Sequence, residues 1–547
     1  MRRPVLSCAA VGLVSIFCFL ASTSANDGKK NVTFTKDVAP ILFKNCAGCH
    51  RPNYTAPMSL LSYKDARPWA RSIKEKVLTR AMPPWAADPH YGEFSNDSSL
   101  PQRDVDTIAT WVDQGAKEGD PRDLPPAPQA SDLWEISKPD VVLAMQQEWE
   151  GEAEGLDENI EFIAPTGFTE DKWVQAIEFR PGNRRVLHHA VVLIQTPEMM
   201  KADQASAPSP GGGSSIFLTR GTNRQVRDDA PVIDDGCSGL NGGGGGNNAR
   251  FALTVYAPGR NADLWPEGTA KLIPKGSNLI FQMHYSKATG KPEKDRSSVA
   301  VLFARKPVEK MVVSLDIMNF YFRIPAGADN HEVTACSTFK KDVQIVSFMP
   351  HMHVRGKDMR YEAVYTDGRR ETLLNVPRYN FYWQTLYKLK KPVAIPKGTR
   401  IAVTAHFDNS IRNKYNPDAG RAVRFGDSTN DEMLAGFVDY IVEKPPEERT
   451  VAKINPAIYD SYVGEYLVGS RSCSVVREGD KLLLVAPGWM KAEAFPESET
   501  KFFLRAMDAQ MTFVRNEKGE VTGFVFEMGN RSMQAKRVAS SDQKQSK

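Results

Sequence analysis

Between Asp132 and about Val442 the chain shows few long helical patterns. Short apolar runs alternate there with turn formers, among them Val186–Val192, Leu279–Tyr285 and Ile345–Phe348. Apolar runs of this length bounded by turn residues predict strands. The bulk of the chain is therefore expected to be β-rich, and sheets must bury one face against another layer. At 547 residues the chain exceeds a single domain, and about 150 residues per domain predicts three or four. Residues 31–120 read as a separate helical unit. It opens with Phe34, Val38, Ile41 and Leu42 and closes with Val105, Ile108, Ala109 and Val112, stopped by Gly115. Pro-rich linkers follow at Pro121–Gln129 and at Glu443–Arg449, the second with Pro445 and Pro446. Ala207–Asn248 is Gly/Ser-rich, ends in Gly242–Gly246, and is expected to be a surface insertion. Residues 458–540 show short alternating strands separated by Glu478-Gly479-Asp480, Asn516–Gly519 and Gly529-Asn530, which predicts a small antiparallel barrel.

Composition narrows the function. Hydrophobic residues at 41% and charged residues at 25% argue against global disorder. Seventy basic residues against 66 acidic leave a net charge of only +4, which argues against a nucleic-acid partner. The N-terminus combines Arg2 and Arg3, an apolar stretch Val11–Leu20, and small residues Thr23 and Ala25 at −3 and −1 of a cleavage site. This pattern predicts a signal peptide over residues 1–25, a periplasmic or secreted mature protein and no membrane span in it. Cys8 and Cys18 go with that segment. Cys46, Cys49, Cys237, Cys336 and Cys473 remain, too few and too scattered for a disulfide scaffold.

Cys46-Ala47-Gly48-Cys49-His50 is the attachment motif of c-type haem. Two thiols add to the two vinyl groups, and the adjacent imidazole reaches the iron. Met82, in Ala81-Met82-Pro83-Pro84-Trp85, is the expected second axial ligand, with Met58 and His90 as competitors. Thioether opposite imidazole suits electron transfer. The unit resembles class I-like monohaem cytochrome c domains over about 90 residues.

Only nine histidines occur, and His50 is one of six in patterned places. His188 and His189 lie within one predicted strand, His284 within another, and His351 and His353 follow an apolar run. Residues i and i+2 of a strand share a face, so His351 and His353 can grip one ion. Adjacent His188 and His189 point to opposite faces of a regular strand and meet on one ion only at a distorted strand end. Imidazole suits copper, zinc, iron and nickel. His331 and His406 are expected to be structural or surface residues.

These residues carry a resemblance. The stretch from about Asp132 to Val442 is similar to the copper type II, ascorbate-dependent monooxygenases, which include peptidylglycine- and dopamine-hydroxylating enzymes. The resemblance implies two jelly-roll-like β-sandwich domains, residues 132–305 and 306–442, each holding one copper. It implies one site at His188, His189 and His284, with Gln282 behind it. It implies a catalytic site at His351, His353 and Met433, the last in the run Asp431-Glu432-Met433. Oxygen would be used at the second site and an electron supplied from the first, with ascorbate or a periplasmic donor as reductant. Two imidazoles and a thioether favour Cu(I). The positions where peptide-amidating members hold a substrate carboxylate are here Met349, Ala435 and Phe437, so a more apolar small-molecule substrate is expected. Pairing of Cys237 with Cys336 stays open in the sequence. Phe495-Pro496-Glu497-Ser498, Phe503 and Phe513-Val514-Arg515 give the last unit a resemblance to the lipocalin-like barrel appended to some bacterial penicillin-binding-type serine hydrolases. The whole predicts a secreted haem- and copper-containing monooxygenase with two coppers and one haem c. A non-catalytic copper or electron-transfer protein is the alternative, and a peroxide-forming oxidase a third reading.

Overall fold

The computed structural model describes residues 31–538 except 53, 55, 130–133, 156, 198, 201–231, 238–251, 260–261, 287–288, 427, 444–449, 469–470, 487–489, 505–508 and 529–530. The expected signal peptide, most of the Gly-rich insertion, and Pro445 and Pro446 lie outside the described residues. Strands make up 44% of the structure and helices 12%, so the chain is mostly β. Among the described residues no helix is long and apolar enough to cross a membrane.

Helices Ala39–Asn45, Tyr63–Ala66, Ala70–Leu78 and Gln102–Asp113 fall in the N-terminal unit. The last buries Val105, Ile108 and Trp111, one face at three-residue spacing. Gly115 ends it with φ +92°, a conformation that costs a glycine little. Ala109 and Val112 are only half-buried, because Trp111 takes the central place and contacts Phe34 at 5.9 Å between ring centroids.

This unit does not end where its helices do. Phe94 is 6% exposed inside the core of residues 317–440, in edge contact with Trp85 and Tyr387. Tyr387–Ile395 is the last strand of the large sheet. The Glu93–Ser95 backbone bonds along it: Ser95 N donates to the Lys388 carbonyl and Lys390 N to the Glu93 carbonyl, both at 2.8 Å. An open edge with unpaired donors and acceptors is thereby covered. The two units are tied by shared core rather than joined only through the Pro121–Gln129 linker.

A nine-stranded sheet runs through the middle of the molecule. A parallel contact, Lys310 with Thr269, joins its two halves. A four-stranded sheet, ordered Glu158–Pro165, Asn278–Tyr285, Leu187–Gln195 and Ala252–Tyr256, packs on one half. Val174, Ile177 and Val299 meet Val192, Leu279 and Phe281 in that core. A five-stranded sheet, from Arg370–Val376 to Asp235–Gly236, packs on the other half, with Ile345, Phe348 and Val438 against Val333, Tyr361 and Val403. Cys237 and Cys336 form a disulfide with Cα atoms 5.2 Å apart, tying the Asp235–Gly236 strand to its neighbour.

The C-terminal unit is a closed barrel of eight antiparallel strands, sealed by pairing Tyr466 with Arg537. Its interior is filled by aromatic side chains, with Tyr462 stacked on Phe513 at 3.8 Å. The expected small barrel is thus a packed one.

Candidate metal centres

His188 and His189 lie on strand Leu187–Gln195, beside His284 on Asn278–Tyr285. His284 pairs with His189, but Tyr285 pairs with Leu187. His188 is therefore the extra residue of a β-bulge. A bulge breaks the strict alternation of faces, and this one removes the obstacle that regular strand geometry sets against adjacent histidines. The Nδ1 atoms of His188 and His189 are 3.1 Å apart, and those of His189 and His284 3.3 Å. Two nitrogens each about 2.0 Å from one ion and roughly 100–110° apart are separated by about 3.1–3.3 Å. The three imidazoles thus converge at chelating distance through Nδ1, and all three ligand atoms lie within 4.8 Å of one another. His284 Nε2 faces the Asp157 carboxylate at 3.3 Å. Gln282 gives its amide to Glu161 of the adjacent strand, at 2.6 Å.

His351 is the final residue of strand Val343–His351 and pairs with Ala435. The strand stops there, so His353 sits in the following turn and not on the strand the i, i+2 reading requires. The turn brings the rings to 5.4 Å between centroids at 89°. The backbone N–H groups of His353 and Met433 share one acceptor, Oε2 of Glu432. His351 Nδ1 meets Gln384 Oε1 at 2.8 Å, and His353 Nδ1 meets the Asp431 carbonyl at 3.2 Å. With both Nδ1 atoms held this way, Nε2 is the atom left to bind a metal. Glu432, wholly buried, fixes the turn. Its carboxylate accepts the backbone N–H of His353 (2.9 Å), Arg355 (2.6 Å) and Met433 (3.1 Å).

The two clusters face each other. The His189 and His351 rings are 6.2 Å apart, and Phe381 touches both sides, 4.9 Å from His188 and 6.1 Å from His353. Phe437 lies 6.2 Å from His351, and Met349 and Ala435 are buried. Burial lowers the basicity of His188 to about 4 and of His353 to about 3; His189 and His351 move the same way. Neutral imidazole, with a free lone pair, is the metal-binding form. The three-nitrogen donor set and its spacing fit copper, and the second cluster offers two imidazoles, with Met433 joined to His353 through the Glu432 carboxylate.

Sequence spacing singled out the five histidines that the structure gathers but gave no sign of Phe381, Gln384 or Asp157. Those three arrive from a loop and a sheet edge that only folding brings near. His406 bonds Asp358 and Glu332, and His331 faces Asp234, the structural roles expected of them.

In the N-terminal unit Cys46 and Cys49 are free thiols. Burial, aided by Cys49, pushes the Cys46 thiol up to about 12. His50 holds the Met58 carbonyl through Nδ1 at 3.3 Å, leaving Nε2 for iron. Two unbridged thiols and an oriented imidazole fit covalent haem. His90 is exposed and bonded to Asp88, and Met58 is engaged through its carbonyl on the His50 side. Met82 lies half-buried in the turn after helix Ala70–Leu78.

Residues 317–463 match the family model described as copper type II ascorbate-dependent monooxygenase, C-terminal domain. This match supports that family, and with it copper and oxidoreductase chemistry, for the part of the chain holding His351, His353 and Met433. Residues 448–540 match a domain of unknown function, DUF3471. Penicillin-binding protein 4* of Bacillus subtilis (strain 168) is 35% identical over 101 residues, 18% of this chain. The chain spans only 22% of that protein's length. Among solved structures, SurE with D-Leu matches 27% of this chain and 32% of its own at 17% identity and a TM-score of 0.15. The major capsid protein P2 of bacteriophage PM2 matches 56% and 99% at 9% identity and a TM-score of 0.23. Neither score is high enough to bear on the fold.

Proposed function

We propose that the chain is an exported haem- and copper-containing monooxygenase that hydroxylates a C–H bond of an apolar small molecule. The observation that carries the reading is the convergence of three Nδ1 atoms beside a second cluster in which Gln384 and the Asp431 carbonyl hold the Nδ1 atoms of His351 and His353. The family match over residues 317–463 supports it. Copper in the two centres would supply oxygen activation and a second electron, and haem on Cys46, Cys49, His50 and Met82 would supply one-electron transfer.

The chain's own residues prepare that chemistry. Burial keeps His188 and His353 neutral at physiological pH. Gln384 and the Asp431 carbonyl orient His351 and His353. Phe381 and Phe437 exclude water and offer an apolar wall, and buried Met349 stands where a carboxylate-binding group would be needed for a peptide terminus. The Cys237–Cys336 disulfide suits an oxidising compartment. Oxygen uptake by copper-loaded protein with ascorbate, with and without apolar substrates, tests the reading. Substrate-stimulated uptake without matching peroxide is expected. Unstimulated uptake at full copper content would make this a non-catalytic electron-transfer or copper-binding protein.

A further inference from the structure

The haem-motif face of the N-terminal unit packs onto the turn that feeds the three-histidine centre. The Tyr54 ring lies between two guanidinium groups, Arg51 at 5.2 Å and Arg184 at 5.0 Å from its centroid. Tyr54, Asn183, Arg184 and Lys294 line one groove of about 320 Å³. Tyr54 is five residues past Cys49. Arg184 itself is four residues before His188.

The turn is pinned. Asn183 N donates to Asp295 Oδ1 at 2.6 Å, Asn183 Nδ2 to Glu293 at 2.9 Å, and Leu187 N to the Asn183 carbonyl at 3.3 Å. At Gly182 an added Cβ would meet the Arg296 backbone at 2.7 Å, so the chain passes too close for any other residue without a shift. The neighbouring cations are committed to carboxylates, Arg185 to Glu293 and Lys294 to Glu148 and Glu150. Arg184 is directed instead at the Tyr54 ring. Such a contact needs no diffusional encounter between the two units, and the planar guanidinium stacks where an ammonium would not.

We propose that this contact is the electron entry of the three-histidine centre, with Arg184 as the positioning residue that holds Tyr54 and the haem-motif segment against the turn leading to His188. The proposal rests on the haem and copper reading above. In the step, ferrous haem becomes ferric and Cu(II) at His188, His189 and His284 becomes Cu(I). One electron moves, no bond forms or breaks, and an external reductant of the ascorbate type restores the haem. A rival path exists: Arg378 Nη1 donates to the Thr79 carbonyl at 3.2 Å, and the same loop carries Gln384 to His351.

The experiment uses the full-length, haem- and copper-loaded protein under anaerobic conditions. A light flash reduces the haem through a photo-excited flavin, and decay of the haem α band reports internal transfer. A first-order decay independent of protein concentration is expected, lost in H284A. R184E should slow it about tenfold or more, and R184K, which keeps the charge but not the stacking plane, should restore only part of it. R412E, a charge reversal at an exposed cation elsewhere, should leave it unchanged. R184Q serves if R184E does not accumulate. Undiminished decay in R184E and R184Q at full haem and copper content, or decay surviving in H284A, would overturn the route. Wild-type protein with no covalent haem would instead overturn the reading beneath it.

Discussion

Replacing Glu432 by Gln tests how the second centre is built. The carboxylate is fully buried and takes three backbone N–H groups, two on Oε2 (His353 and Met433) and one on Oε1 (Arg355). Burial pushes its pKa up to about 7, while the Arg355 charge and these donors pull it down. Gln has one acceptor oxygen. Its best placement keeps the two bonds made by Oε2 and turns an amide NH₂ toward the Arg355 N–H. One buried donor is left unmade, at a cost of about 1–3 kcal/mol. That local cost corresponds to about a 5- to 150-fold loss of hydrogen-exchange protection at the amides of the turn. Glu432→Ala removes all three bonds, leaving three buried donors unmade, and should cost more, about 3 kcal/mol or above. Amide exchange of His353, Arg355 and Met433 in the metal-free chain is the assay, alongside copper content after dialysis. E432Q should lose copper from the second centre and keep it in the first. Unchanged protection at all three amides, with both coppers retained, would refute the argument that this carboxylate builds the turn.

Four further outcomes follow from the same geometry. Gln384→Leu frees His351 Nδ1 and should weaken copper at the second centre by about 10- to 100-fold, measured by competition with a chelator. Met433→Ala should weaken Cu(I) retention more than Cu(II), because sulfur prefers the softer ion; equal losses would place Met433 outside the ligand set. The metal-free chain should lose stability as pH falls from about 6.5 to about 4. His188 is depressed to about 4 from 6.5 by burial, so the unfolded chain binds more protons in that window; a flat urea midpoint across it would exclude this. Phe94→Ala should cost about 3–5 kcal/mol and raise protease cleavage between the helical unit and the central sheet, since Phe94 fills the core between Trp85 and Tyr387.

The chemistry-bearing residues were legible because their types and spacings are chemical necessities. The CxxCH run, the paired histidines and the Asp431-Glu432-Met433 run each survive as patterns in one dimension. The barrel was legible too, since alternation and turn residues encode a closed antiparallel sheet locally. Register was not. A single extra residue at His188 decides whether two neighbouring imidazoles share a face, and that residue is identified only by its pairing with the opposite strand. Nor does spacing show that Phe381 and Gln384 close over histidines some thirty residues earlier. The Cys237–Cys336 bridge spans 99 residues and needed the sheet to bring its ends within 5.2 Å. Local sequence thus determined which groups are available and which strands and helices carry them. Bulges, covered edges and loop returns are settled by hydrogen bonding and burial between distant segments, so the meeting of the two centres and the docking of the haem motif belong to the tertiary structure.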